Sequence, residues 1–147
     1  MKQIIYAMQF KGTASGQAPL VATLNAPSET IALCISSEGV SSTIAPSEGD
    51  SAYFKSEVRF LDPAQTAFTE SGTITFGDGG HVLHFSTVGQ GFIADSPDPS
   101  LKHGTVTWQI DRGEGQFEGA KGLITANFLI SGTGAVTDNH FAVLFLP

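Results

Sequence analysis

The chain has 147 residues, of which 41% are hydrophobic and only 14% charged, which suits one domain with a sizeable core and no need of a disulfide or metal staple. The formal net charge is −7, and the seven basic residues (Lys2, Lys11, Lys55, Arg59, Lys102, Arg112 and Lys121) stand singly. No cluster can therefore neutralise a run of phosphates, and neither nucleic acid nor an anionic membrane surface is expected as a partner. No apolar stretch approaches the ~18 residues of a membrane span, and Met1 to Tyr6 lacks the pattern of a secretory leader, so a cytoplasmic protein is expected.

The first predicted strand, Gln3 to Thr13, is apolar on both faces: Ile4, Tyr6, Met8 and Phe10 alternate with Ile5 and Ala7. A short strand follows from Leu20 to Leu24. Thr30 to Ser36 and Val40 to Ile44 flank a Ser37-Glu38-Gly39 turn. Cys34, the sole cysteine, falls in the run Ile31 to Ile35 and is expected to be a buried, inert thiol. Ala52 to Leu61 sets Phe54, Val58 and Phe60 against Tyr53, Lys55, Glu57 and Arg59. Ala67 to Phe76 and Gly80 to Val88 are joined by Gly77-Asp78-Gly79-Gly80, whose Asp-Gly step supplies the positive φ of a tight hairpin turn. Ile93 to Lys102, with Pro97 and Pro99, reads as a long surface loop, a place where barrels often put a binding mouth. Gly104 to Ile110 alternates Val106, Trp108 and Ile110 with Thr105, Thr107 and Gln109. Gly122 to Ser131 alternates Ile124, Ala126, Phe128 and Ile130 with Thr125 and Asn127. After Gly132-Thr133-Gly134, the strand Ala135 to Leu146 is again two-sided, with Phe141, Val143 and Phe145 opposing His140, Ala142, Leu144 and Leu146.

Ten short strands, tight turns and no helical periodicity predict one all-β domain over residues 1–147, a closed, mostly antiparallel barrel. In such a barrel one face of each strand fills the interior. The two-sided strands Ile4 to Phe10 and Phe141 to Leu146 then need an outer cover, which predicts a homo-oligomer.

The stretch Asp111-Arg112-Gly113-Glu114-Gly115-Gln116-Phe117-Glu118-Gly119-Ala120-Lys121-Gly122 resembles the Gly-x-Gly-x-Phe-x-Gly-Ala-x-Gly hairpin of the allene oxide cyclase-like barrels and their small bacterial relatives. Gly113 and Gly115 allow a sharp turn after Ile110, Phe117 can fold back over one barrel end, and Gly119, Ala120 and Gly122 permit close backbone approach. The resemblance is specific over Gly104 to Ser131. It implies an eight-stranded, calycin-like barrel, often oligomeric, with an apolar cavity. In the plant enzyme of that family such a cavity holds an unstable fatty-acid epoxide in a cyclisation-ready shape. That enzyme's functional polar residues have no matched positions here.

The candidate acid–base residues are His84, His103 and His140, with Asp138 two residues from His140 on the same strand face and able to orient its ring. The candidate ligand contacts are Trp108, Gln109 and Asn127, Trp108 as a wall on which a ligand could stack. No metal is expected: His81 and His84 point to opposite faces of one strand, and no spacing matches a zinc site. No cofactor is expected either, since Gly77 to Gly80 and Gly89-Gln90-Gly91 open no helix that could cradle a phosphate. The leading reading is a barrel that binds a small hydrophobic molecule near the Ile93 to Lys102 end, and isomerises or cyclises it. The alternatives are a non-catalytic oligomeric barrel used for binding or assembly, and a lipocalin-like carrier.

Overall fold

The computed structural model describes all 147 residues, Met1–Pro147. Eleven strands form: β1 (Lys2–Ser15), β2 (Leu20–Ala26), β3 (Glu29–Ser36), β4 (Gly39–Pro46), β5 (Ala52–Phe60), β6 (Ala67–Phe76), β7 (His81–Thr87), β8 (Gly91–Asp95), β9 (Leu101–Glu114), β10 (Lys121–Ser131) and β11 (Ala135–Leu146). The only helical turn is a single 3-10 turn over Gly115–Phe117. Eight strands close an antiparallel barrel in the order β10-β11-β1-β2-β5-β6-β7-β9, with β9 pairing back onto β10. Closure removes the sheet edges that an open sheet of this size would leave exposed.

The eleventh strand explains how the barrel keeps eight positions. β7 and β8 both run antiparallel to β9 and to β6, β7 along Val82–Thr87 and β8 along Phe92–Asp95. They are one wall position, interrupted where Gly89 takes a φ of +70°. The glycine break hides β8 from a reading by alternation. Ile93 to Asp95 accordingly belongs to β8, and Leu101 and Lys102 to β9. The irregular segment is only Ser96 to Ser100, folded over its own Ser96 and Asp98 side chains.

Alternation sorts the faces. Phe54, Ser56 and Val58 of β5 point inward, as do Phe68, Glu70 and Ile74 of β6, Val106, Trp108 and Ile110 of β9, and Asp138, His140, Ala142 and Leu144 of β11. The centre of the lumen is solid with aromatic rings: Phe54 lies 5.4 Å from Phe85 and 5.5 Å from Trp108, and Phe85 lies 4.5 Å from Trp108, centroid to centroid. Burying rings of this size is the main source of stability in so small a domain.

One end of the barrel is plugged. After β9 the chain doubles back so tightly that a Cβ on Gly113 would sit 1.9 Å from the Phe117 carbonyl oxygen, and Gly115 has a φ of +63°. Phe117 is thereby turned inward, 5.2 Å from the Phe76 ring, which in turn meets Tyr6 edge-on at 6.0 Å. The fold-back expected of Phe117 is thus present.

β3 and β4 pair only with each other, as a hairpin inserted between β2 and β5. Every residue of it beyond Glu29 is exposed. Cys34 is therefore an exposed thiol, not a buried one. The apolar run Ile31 to Ile35 is a strand as expected, but it joins a two-stranded ribbon outside the barrel wall, where neither face has a layer to pack on.

Candidate functional site

Four polar residues point into the apolar lumen and are buried there: Ser56, Glu70, Asp138 and His140. Each sits on an inward position of a wall strand, so the barrel's own alternation delivers them. Glu70 stands on β6 opposite Val58 of β5, and the Ser56 hydroxyl, one inward position along β5, donates to its carboxyl at 2.5 Å. Asp138 stands on β11 between Phe10 of β1 and Phe128 of β10. His140, with a side chain 0% exposed, places Nε2 3.0 Å from Oδ2 of Asp138. The approach is close but lacks hydrogen-bond geometry: both ring nitrogens of His140, and Oδ1 of Asp138, lack a hydrogen-bond partner in the protein.

The imidazole is held in an aromatic box. Its ring centroid lies 4.6 Å from Phe10, 5.0 Å from Trp108 edge-on, and 5.4 Å from Phe54 edge-on. The Trp108 indole Nε1 is also buried without a hydrogen-bond partner. A buried polar group without a partner costs about 1–3 kcal/mol, so a further hydrogen bond to any of these atoms would be stabilising. Burial dominates the electrostatics of Glu70. Desolvation pushes its carboxyl up from 4.5 to about 8, and the nearby Asp138 carboxylate pushes the same way. The Ser56 hydroxyl opposes the rise by more than Asp138 adds to it, and the neighbouring Trp108 indole opposes it least. At neutral pH Glu70 therefore carries its proton and is a hydrogen-bond donor. Tyr6, deeper toward the plug, has its phenol pushed well up by burial alone.

Above this cluster the lumen opens. A small cavity of about 50 Å³ is lined by Leu20, Leu24, Phe68, Phe128 and Val136, among others, with Glu70 and Asp138 as its polar groups. Ala14, Leu20, Ile93 and Ile130 line both this cavity and a wide mouth of about 890 Å³ at the unplugged end. The mouth is rimmed by Gln17, Gln65, Asp95, Ser96, Pro99 and Lys102, together with the Gly132-Thr133-Gly134 turn. An apolar funnel thus descends from the Ile93 to Lys102 end onto two carboxyl groups.

The sequence candidates divide between inside and outside. His140 and Trp108 face the lumen, in contact with each other. His84 lies on the outer wall, its Nε2 2.8 Å from Glu114, and that contact together with Arg112 holds the Glu114 carboxyl below the ordinary range. His103, Gln109 and Asn127 are exposed on the outer surface of β9 and β10. Gln109 reaches only Asp111, at 3.3 Å. The structure does not bring these four to the lumen. Trp108 faces in, so Gln109 beside it must face out. Glu70 and Ser56 were missed, although the sequence carries a signal for both. In Phe68-x-Glu70-x-Gly72-x-Ile74 and Phe54-x-Ser56-x-Val58 a polar residue interrupts the apolar face of a strand.

No group of His, Cys, Asp and Glu side chains is placed to hold a metal ion. No family model, no curated protein and no solved structure matches the chain.

Proposed function

We propose that the barrel binds a small, largely apolar molecule through the open mouth, with a neutral hydrogen-bonding end directed at Glu70 and Asp138. The observation that carries this reading is the continuity of the mouth with an apolar cavity whose floor holds a proton-bearing carboxyl and an unpartnered buried carboxylate oxygen. Sites for small molecules are concave, apolar and sparsely polar in this way. A carboxylate terminus suits the floor poorly, because it would bring another negative charge beside Asp138 in a low-dielectric site. A hydroxyl or primary amide can accept from Glu70 and donate to Asp138, and a carbonyl can accept from Glu70.

The resemblance of the Gly113 to Gly122 hairpin to that of the allene oxide cyclase-like barrels supports the same reading. Isomerisation or cyclisation of the bound molecule is the chemistry that such a site favours: confinement fixes the reactive shape, and a carboxyl near pKa 8 can lend its proton to an oxygen that gains charge.

The test uses Trp108, the only tryptophan, as reporter, with straight-chain primary alcohols and the fatty acids of the same lengths as probes. Saturable changes in Trp108 fluorescence with the alcohols, weaker ones with the acids, and loss of both in Ala14→Phe, which narrows the throat, are expected. Titrations that stay linear, or that Ala14→Phe leaves unchanged, would rule out the lumen as the site.

A further inference from the structure

Two apolar surfaces of this chain have no cover, and they lie on different parts of the molecule. The first is one face of the β3–β4 hairpin. Its register pairs Ile31 with Ile44, Leu33 with Ser42 and Ile35 with Val40, so five large aliphatic side chains share one face. Leu33, Ile35 and Val40 are 63%, 74% and 69% exposed. Cys34, Ser36, Ser41 and Thr43 occupy the other face. A two-stranded ribbon is marginal in water by itself, and an apolar face of this kind marks an interaction surface.

The second surface is the outer wall of β10-β11-β1. Ile5, Val143 and Leu123 form one row across it, flanked by Phe141 and Phe145, and all but Val143 are 37–59% exposed. A shallow groove of about 460 Å³, lined by Ala7, Thr125, Asn127, Asn139 and Phe141, runs beside the row. Below Lys11, β1 has a strand neighbour on its β11 side only.

Charge selects the occupant. The segment from Glu29 to Asp50 carries Glu29, Glu38, Glu48 and Asp50, with no Lys or Arg. In a chain of net charge −7, the β10-β11-β1 wall is the converse: Lys11 and Lys121 stand on its outer face, and its only acid, Asp138, points inward. An acidic, apolar ribbon and a basic-edged apolar wall are complementary.

We propose that the hairpin of one copy lies across the β10-β11-β1 wall of a second copy, and that the second copy's hairpin returns the contact in a two-fold dimer. Eight-residue strands make the ribbon about 27 Å long and about 10 Å wide. Two reciprocal contacts of that size bury about 1,100 Å², just under the standard range for specific interfaces and enough for a weak dimer. The two-fold arrangement closes the assembly and leaves neither face free to propagate a filament. Cys34 remains on the ribbon's solvent side.

Sedimentation equilibrium across micromolar concentrations tests this with three samples. One is the wild-type chain. The second is an arm variant, Leu33→Asp with Ile35→Asp. The third is a wall variant, Phe141→Asp with Val143→Asp. Circular dichroism and Trp108 fluorescence confirm the barrel in each. The wild type is expected to be a dimer and each variant a monomer. An equal mixture of the two variants, which retains one intact arm-on-wall contact, is expected to associate more strongly than either alone. A monomeric wild type, an arm or wall variant that dimerises like the wild type, or a mixture no more associated than its parts would each overturn the proposal.

Discussion

Replacing Glu70 by Gln removes the one lumenal carboxyl whose protonation differs most between the folded and unfolded chain. The folded-state value of about 8 lies far above the ordinary 4.5. Between those two values the native protein keeps a proton that the unfolded chain has released. Stability from this group is fully present below about pH 4.5, falls as pH rises, and is gone above about pH 8. At about 1.4 kcal/mol per pH unit the loss across this window is roughly 3–5 kcal/mol, a large share of the 5–15 kcal/mol that holds a typical domain together. Gln is neutral at every pH and its carbonyl can still accept from the Ser56 hydroxyl. Glu70→Gln should therefore match the wild type near pH 5 and exceed it by several kcal/mol at pH 8.5. Urea unfolding followed by Trp108 fluorescence, at unit steps from pH 5 to 9, measures both curves. Other titrating groups are common to both proteins and cancel in the difference. Parallel curves would refute the claim that Glu70 is buried as a neutral acid.

Trp108→Ala should cost about 3–5 kcal/mol in the same unfolding assay, because the ring packs on Phe54, Phe85 and His140 at the solid centre of the lumen. Gly113→Ala should destabilise by roughly 1–3 kcal/mol and loosen the plug, since its methyl would strike the Phe117 carbonyl; faster hydrogen exchange over residues 113–120 would report it. Cys34 should react with a thiol reagent in the native protein as fast as in the urea-unfolded chain, given its exposure on the hairpin.

The barrel was legible in the chain because its strands advertise themselves twice, by alternation and by glycine-bearing turns. Trp108 with Val106, or His140 with Ala142, can be placed on one face from period two alone. What alternation cannot give is the side on which a strand finds its neighbour. Ile31 to Ile35 looks like a core strand by composition, yet its hairpin partner lies outside the wall and Cys34 ends in solvent. The same limit governs the site. Alternation sets His103 on the face of Gln109 and His84 opposite Leu83 and Phe85, both outward, but only closure of the barrel seals His140 among Phe10, Phe54 and Trp108. Glu70 and Ser56 were overlooked for a different reason. Each is a polar interruption of an apolar strand face, the feature that places it inside, and neither belongs to a motif that singles it out. The Asp138–His140 pairing was legible because both residues lie on one strand, where spacing alone sets proximity. Glu70 meets Ser56 and Asp138 across strands, through register and closure that no local pattern encodes.

The most direct test of the lumen as a binding site is an NMR contact map between octan-1-ol and the methyl-labelled protein. Transfer from the alkyl chain to the methyl groups of Leu20, Ile93 and Ile130, with a shift of the Trp108 indole N–H on binding, is the expected result. Contacts confined to Ile5, Leu123 and Val143 on the outer wall, or to Ile31, Leu33 and Ile35 on the hairpin, would contradict it.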